Sequence, residues 1–171
     1  MLPVAAAIYV YLHFIGRILS QNKPALQCSM KYPIPSLSVF VVVAVTLLIG
    51  DIIWLGYIAA PMYQHLRQVL NPGISPANLP YKLLPAVAAY FVMTYSISIL
   101  AVPMVPSSGN TLTRLVAAAA WGGVWGLGVY GTYDFTNMAV IQAFPTVTGL
   151  IDMTWGIILG SVATFIGSYF S

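Results

Sequence analysis

The sequence predicts an all-α integral membrane protein, a four-helix bundle with an additional N-terminal membrane-associated helix. Three observations carry that expectation. Hydrophobic residues make up 60% of the 171 positions and charged residues only 5%, against about 25% charged in an average soluble domain. That leaves too little polar surface to cover a water-soluble globule, so lipid must be the solvent. Four apolar stretches reach the roughly 20 residues needed to cross the hydrocarbon as helices. Clusters of Pro, Gly, Asn and Ser separate them.

Taken in order, the first element is the apolar stretch Leu2–Gly16, which is short for a span. It lacks the basic segment that precedes the apolar core of a signal peptide. The favoured reading is an interfacial helix with Arg17 and Lys23 at the headgroups. A short fifth span and an uncleaved signal-like segment are the alternatives. Residues 1–35 are thus an N-terminal helix and basic linker, and residues 36–171 the bundle.

The four spans fall at Ser36–Ala60, Tyr81–Val105, Thr111–Ala139 and Thr148–Phe170. Pro35 and Pro80 suit the starts of the first two, because proline fits the first turn of a helix. Breaks follow at Asn71-Pro72-Gly73 through Pro80, at Pro103 through Asn110, and at Ala143-Phe144-Pro145. Arg17, Lys23, Lys31 and Arg114 fall on one side of this topology, Arg67 and Lys82 on the other. The positive-inside rule then puts segment 17–35, the second loop and the C-terminus in the cytoplasm.

Several function classes drop out. The six basic residues are dispersed, so no nucleic-acid footprint is expected. Lone Cys28 excludes an intramolecular disulfide and a cysteine metal cage. His13 and His65 are too far apart in sequence to supply the His clusters of di-iron membrane enzymes, and neither a metal site nor a cofactor is expected. There is no Ser-His-Asp or Cys-His arrangement. The glycines of Gly122–Gly128 read as a helix-packing run, not a phosphate loop. Trp121, Trp125, Tyr90 and Tyr95 read as packing or interfacial-belt aromatics.

What remains is the placement of the acids. Only three exist, Asp51, Asp134 and Asp152, and all lie inside apolar segments. A charged side chain at a bilayer centre costs roughly 2.5–3.5 kcal/mol on insertion scales, so intramembrane acids are the default place to look for function. At about 1.5 Å per residue, antiparallel spans bring all three into the same, non-cytoplasmic half, with Lys82 at that level. Helical spacing assigns faces as well. Ala118, Gly122, Gly126, Tyr130 and Asp134 form one i, i+4 row, and Asp152, Gly156, Gly160 and Thr164 another. Small residues four apart let helix backbones approach in lipid, so both acids belong to packing faces. Trp54 and Trp155 stand three residues after Asp51 and Asp152, and each is expected to serve its own acid as an N–H donor. Tyr130 and Asn137 are expected to do the same for Asp134.

The string Asp51-x-x-Trp54-Leu55-Gly56, then Tyr130-x-x-Tyr133-Asp134-x-Thr136-Asn137-x-Ala139, then Thr148-x-x-x-Asp152-x-x-Trp155-Gly156 resembles the membrane proteins of domain-of-unknown-function family 2177. The resemblance runs from about residue 36 to the C-terminus. It implies a four-span bundle whose defining residues are these polar ones, without naming a reaction. Residues 1–35 have no counterpart in the family pattern, and Phe144 stands where a Trp precedes the Pro.

The candidate site is therefore Asp51, Trp54, Lys82, Tyr130, Tyr133, Asp134, Asn137, Asp152 and Trp155. The favoured function is a membrane module binding or passing a small polar ligand, a proton or a lipid headgroup. An accessory subunit of a membrane complex or a homo-oligomer, with a purely structural polar core, is the first alternative. A membrane enzyme acting on a lipid or isoprenoid is the second.

Overall fold

Local chemistry sets where each helix begins and ends. In the computed structural model, which describes residues 34–75 and 82–171, helix α1 spans Leu37–Ile53, and the Ser36 hydroxyl caps it by accepting from the Val39 amide at 3.3 Å. A π-turn, Trp54–Ile58, continues it without burying a side chain. Helix α2, Ala60–Leu70, then opens with Pro61 in its first turn, where the missing N–H costs nothing. It ends at Asn71, and Gly73 supplies the left-handed backbone (φ 85°) of the following turn, a conformation that glycine adopts without a Cβ penalty.

Helix α3 spans Leu83–Leu100 and runs into a 3₁₀ turn, Val102–Met104, at Pro103. Helix α4, Thr111–Val140, is capped by Asn110, whose side chain accepts from the Thr113 amide at 2.9 Å. Helix α5, Thr146–Gly167, follows Pro145. No strand occurs among the described residues. The expected helix Leu2–Gly16, its basic linker through residue 33 and the Pro80 start lie outside the described residues.

Four segments are long and apolar enough to cross a membrane: Leu37–Ile58, Leu83–Met104, Thr111–Val140 and Thr146–Gly167. They match the four expected spans to within a few residues. Helix α2 is the difference. His65 and Arg67 lie beyond the end of the first expected span, where a loop is expected, yet they stand on an 11-residue helix. Its polar residues hide it from a search for apolar stretches, and its Pro61 acts as a helix starter rather than a breaker.

Residues 34–171 form one compact unit. Its apolar core joins Val39, Val43 and Leu47 of α1 to Ile97 of α3, to Ala101 and Val102, and to Leu159 and Ala163 of α5. Trp121 and Trp125, read as packing aromatics, lie against this cluster. Large apolar side chains such as Val41, Val45, Ile52, Leu84 and Phe91 point outward, as they must where lipid is the solvent. At one end of the bundle the Arg114 guanidinium donates to the Ser168 carbonyl (2.5 Å) and hydroxyl (3.0 Å). It also lies 4.0 Å above the Tyr169 ring, tying the start of α4 to the end of α5.

The closest seam is between α4 and α5. A Cβ added at Gly122 or Gly126 would overlap the carbonyl of Gly160 or Gly156 on the facing helix. Without side chains the two backbones meet directly, as small residues permit in lipid. We predict that Gly126→Val lowers stability by about 1–3 kcal/mol through overpacking. Gly128, with open space around its Cβ position, should accept Ala without loss. Thermal unfolding of the two variants in one detergent measures the difference.

Candidate functional site

Each of three buried helix stripes ends in an acid. On α1 the stripe is Val39, Val43, Leu47 and Asp51. On α4 it is Ala118, Gly122, Gly126 and Asp134, with half-buried Tyr130 in the same row. On α5 it runs from Asp152 through Gly156 and Gly160 to Thr164. Asp51 lies seven residues from the end of its span, and Asp134 and Asp152 six residues from the ends of theirs. At about 1.5 Å per residue, all three occupy one layer. They are 5%, 0% and 6% exposed respectively. Asp152 feels the charge of Asp51, and Asp134 feels that of Asp152.

The same residue type meets three different environments. Asp51 is saturated. Its Oδ1 accepts from the Trp155 indole N–H at 2.8 Å, its Oδ2 accepts from the Tyr90 hydroxyl at 2.8 Å, and the Tyr130 hydroxyl lies 3.4 Å from both oxygens. These donors belong to α5, α3 and α4, so one carboxylate of α1 is bonded to all three other spans. Asp152 has the Tyr63 hydroxyl of α2 on its Oδ1. Burial, reinforced by the adjoining Asp152, raises the Tyr63 phenol well above the ordinary phenol value, which keeps it a donor. Asp134 has nothing: both of its oxygens are buried without a hydrogen-bond partner.

The expected pairing of each Trp with its own acid is corrected. Trp54 and Trp155 stack across the α1–α5 boundary with centroids 4.7 Å apart and planes 3° from parallel. Stacking carries each indole past its own acid to the facing helix. Trp155 therefore serves Asp51 rather than Asp152. The Trp54 N–H faces Asp152 and Tyr63, although it makes no bond of ordinary geometry. The expected donors to Asp134 are corrected too. Tyr130 turns to Asp51, and Asn137 does not bond Asp134. The Asp134 side chain is drawn into the α4–α5 seam, where a Cβ on Gly149 would lie 3.2 Å from its Cβ.

Among the remaining candidates, Tyr133 is 58% exposed and interacts with Asn137 on its own helix. Lys82 is exposed at the start of α3, and the donors described above for Asp51 and Asp152 are Tyr and Trp side chains. Two donors escaped the sequence reading. Tyr90, whose sequence context reads as a packing or interfacial-belt aromatic, stands seven residues into its span, at the depth of Asp51. Depth could have found it. Tyr63 carried no such signal, because its helix was not expected. Among the described residues no three His, Cys, Asp or Glu side chains are grouped to hold a metal.

The polar layer and the four spans lie within residues 36–169, the region matched by the family described as "Predicted membrane protein (DUF2177)". The chain belongs to this family. No curated protein and no solved structure matches it. Family membership thus carries the membrane assignment and names no chemistry.

Trp155→Phe keeps most of the packing and removes one of the two shortest donors of Asp51. We predict a loss of about 1–3 kcal/mol, the usual penalty for a buried acceptor left short of a donor. In the Trp155→Phe/Tyr90→Phe double variant the losses should be non-additive, since both donors share one carboxylate. Equilibrium unfolding of the four proteins gives the coupling.

Proposed function

We propose that the chain is an intramembrane module that binds positive charge, a proton foremost, at Asp134 and Asp152, with Asp51 as a fixed structural anion. The observation that supports this reading is the contrast between Asp51, with three donors, and Asp134, wholly buried with none. Removing an ionised carboxylate from water costs several kcal/mol even after relaxation. Intramembrane hydrogen bonds average only about 0.6 kcal/mol, so stability alone is a poor reason to keep such a group. The nearby charge of Asp152 adds like-charge repulsion. A proton on Asp134, or a cation shared with Asp152, removes both penalties.

The glycine at position 149 also favours this assignment. A Cβ there would lie 3.2 Å from the Asp134 Cβ and 3.4 Å from its carboxyl carbon, so the acid sits close against the neighbouring helix. Arg114, near the start of α4 and at the opposite end of that helix from Asp134, supports a non-cytoplasmic position for the acid layer.

Infrared spectroscopy in lipid tests the proposal, because a protonated carboxyl has a C=O stretch separate from that of a carboxylate. Wild-type protein should show a carboxylic-acid band that disappears in Asp134→Asn and persists in Asp51→Asn. A spectrum without that band, or one unchanged in Asp134→Asn, would return Asp134 to a purely architectural role.

A further inference from the structure

Beside the acid layer, a groove of about 310 Å³ opens between the π-turn and α5. Trp54 and Trp155 form one wall, and Leu150, Ile151, Thr154 and Ile158 form the rest. The groove lies on membrane-spanning segments, and Ile151 and Ile158 are 40% and 50% exposed, so it faces hydrocarbon. Its volume is at the lower end of small-molecule sites, which run from roughly 300 to 1,000 Å³. The Thr154 hydroxyl donates to its own helix, to the Leu150 carbonyl at 2.9 Å, leaving the indoles as the distinctive chemistry.

We propose that this groove takes a lipophilic organic cation, of the quaternary ammonium or phosphonium type, admitted sideways from the bilayer. The proposal rests on reading the acid layer as a site for positive charge, and it names the ligand class. Charge complementarity selects the occupant. Asp51 lies at the N–H edge of Trp155, at 2.8 Å, and Asp152 near that of Trp54. The donors described above for Asp51 and Asp152 are neutral Tyr and Trp side chains, which bond the carboxylates without adding a positive charge. An indole face that the Trp54–Trp155 stack leaves uncovered attracts cations through the ring quadrupole, Trp most strongly, and more so when water is excluded. A carboxylate hydrogen-bonded to the indole N–H enriches the ring further. An anion would meet the same field as repulsion, and a neutral chain would gain nothing from it. A bare metal ion lacks both the apolar body that fits Leu150, Ile151 and Ile158 and, among the described residues, a three-ligand set.

Tetraphenylphosphonium and tetraphenylborate share one shape and differ in charge. The test is equilibrium binding of each to the full chain in nanodiscs of zwitterionic lipid, with empty nanodiscs as the blank. The cation should bind saturably and quench tryptophan fluorescence. The borate should bind at least about tenfold more weakly, the scale of a desolvated cation–π contact. Thr154→Arg places a like charge in the groove, and Ile151→Trp fills it without charge; each should reduce cation binding about tenfold or more. Equal binding of the two ions, the absence of saturable cation binding, or full binding in folded Ile151→Trp would overturn the proposal. Loss of cation binding with the Asp134 carboxylic-acid band intact defeats the groove and leaves the proton site standing. The reverse result defeats the proton site alone.

Discussion

The bundle depends on how the Asp51 carboxylate is held. In lipid there is no hydrophobic drive between helices, and association comes from close packing and interhelical hydrogen bonds. The α4–α5 pair solves this with glycines that bring backbones into contact. Helix α1 has no such seam in the acid layer. It ends its buried stripe in a carboxylate that accepts from α3, α4 and α5 at once. An acceptor with two oxygens and several lone pairs suits this junction, because phenol and indole groups reaching it from three directions can all donate. The stacked pair Trp54–Trp155 follows from the same junction, since the indole that bonds Asp51 must cross from α5.

Satisfying one acid so fully throws the others into relief. Asp134 and Asp152 share the depth and burial of Asp51 but not its donors. Environment, not residue type, distinguishes the three acids. The π-turn contributes to that division. It continues α1 up to the start of α2, and α2 carries Tyr63 to Asp152. Single π-turns within helices are frequent at functional sites, and this one stands immediately beside the polar layer.

Much of this was legible in the sequence. The spans follow from apolar length punctuated by proline, and the packing faces from glycines four apart. The common layer follows from counting residues along antiparallel helices. The partners were less legible, for a physical reason. Helical spacing specifies neighbours on one helix, whereas the bonds that matter run between helices. Trp54 and Trp155 stand beside their own acids in sequence and serve the facing helix in space. Asn137 is three residues from Asp134, yet the carboxyl is drawn into the seam at Gly149. Lys82 had the right depth but remains exposed. Tyr63 stayed hidden because a short polar helix at a membrane boundary leaves no apolar run to detect.

The division between a structural and a functional acid is tested most directly by comparing the unfolding free energies of Asp51→Asn and Asp134→Asn in the same detergent. Asp51→Asn should lose about 1 kcal/mol or more, because hydrogen bonds to a charged acceptor are worth more than those to an amide. Asp134→Asn should be about as stable as the wild type, since no hydrogen-bond donor is lost. If Asp134→Asn proves as damaging as Asp51→Asn, Asp134 is part of the architecture and the functional assignment fails.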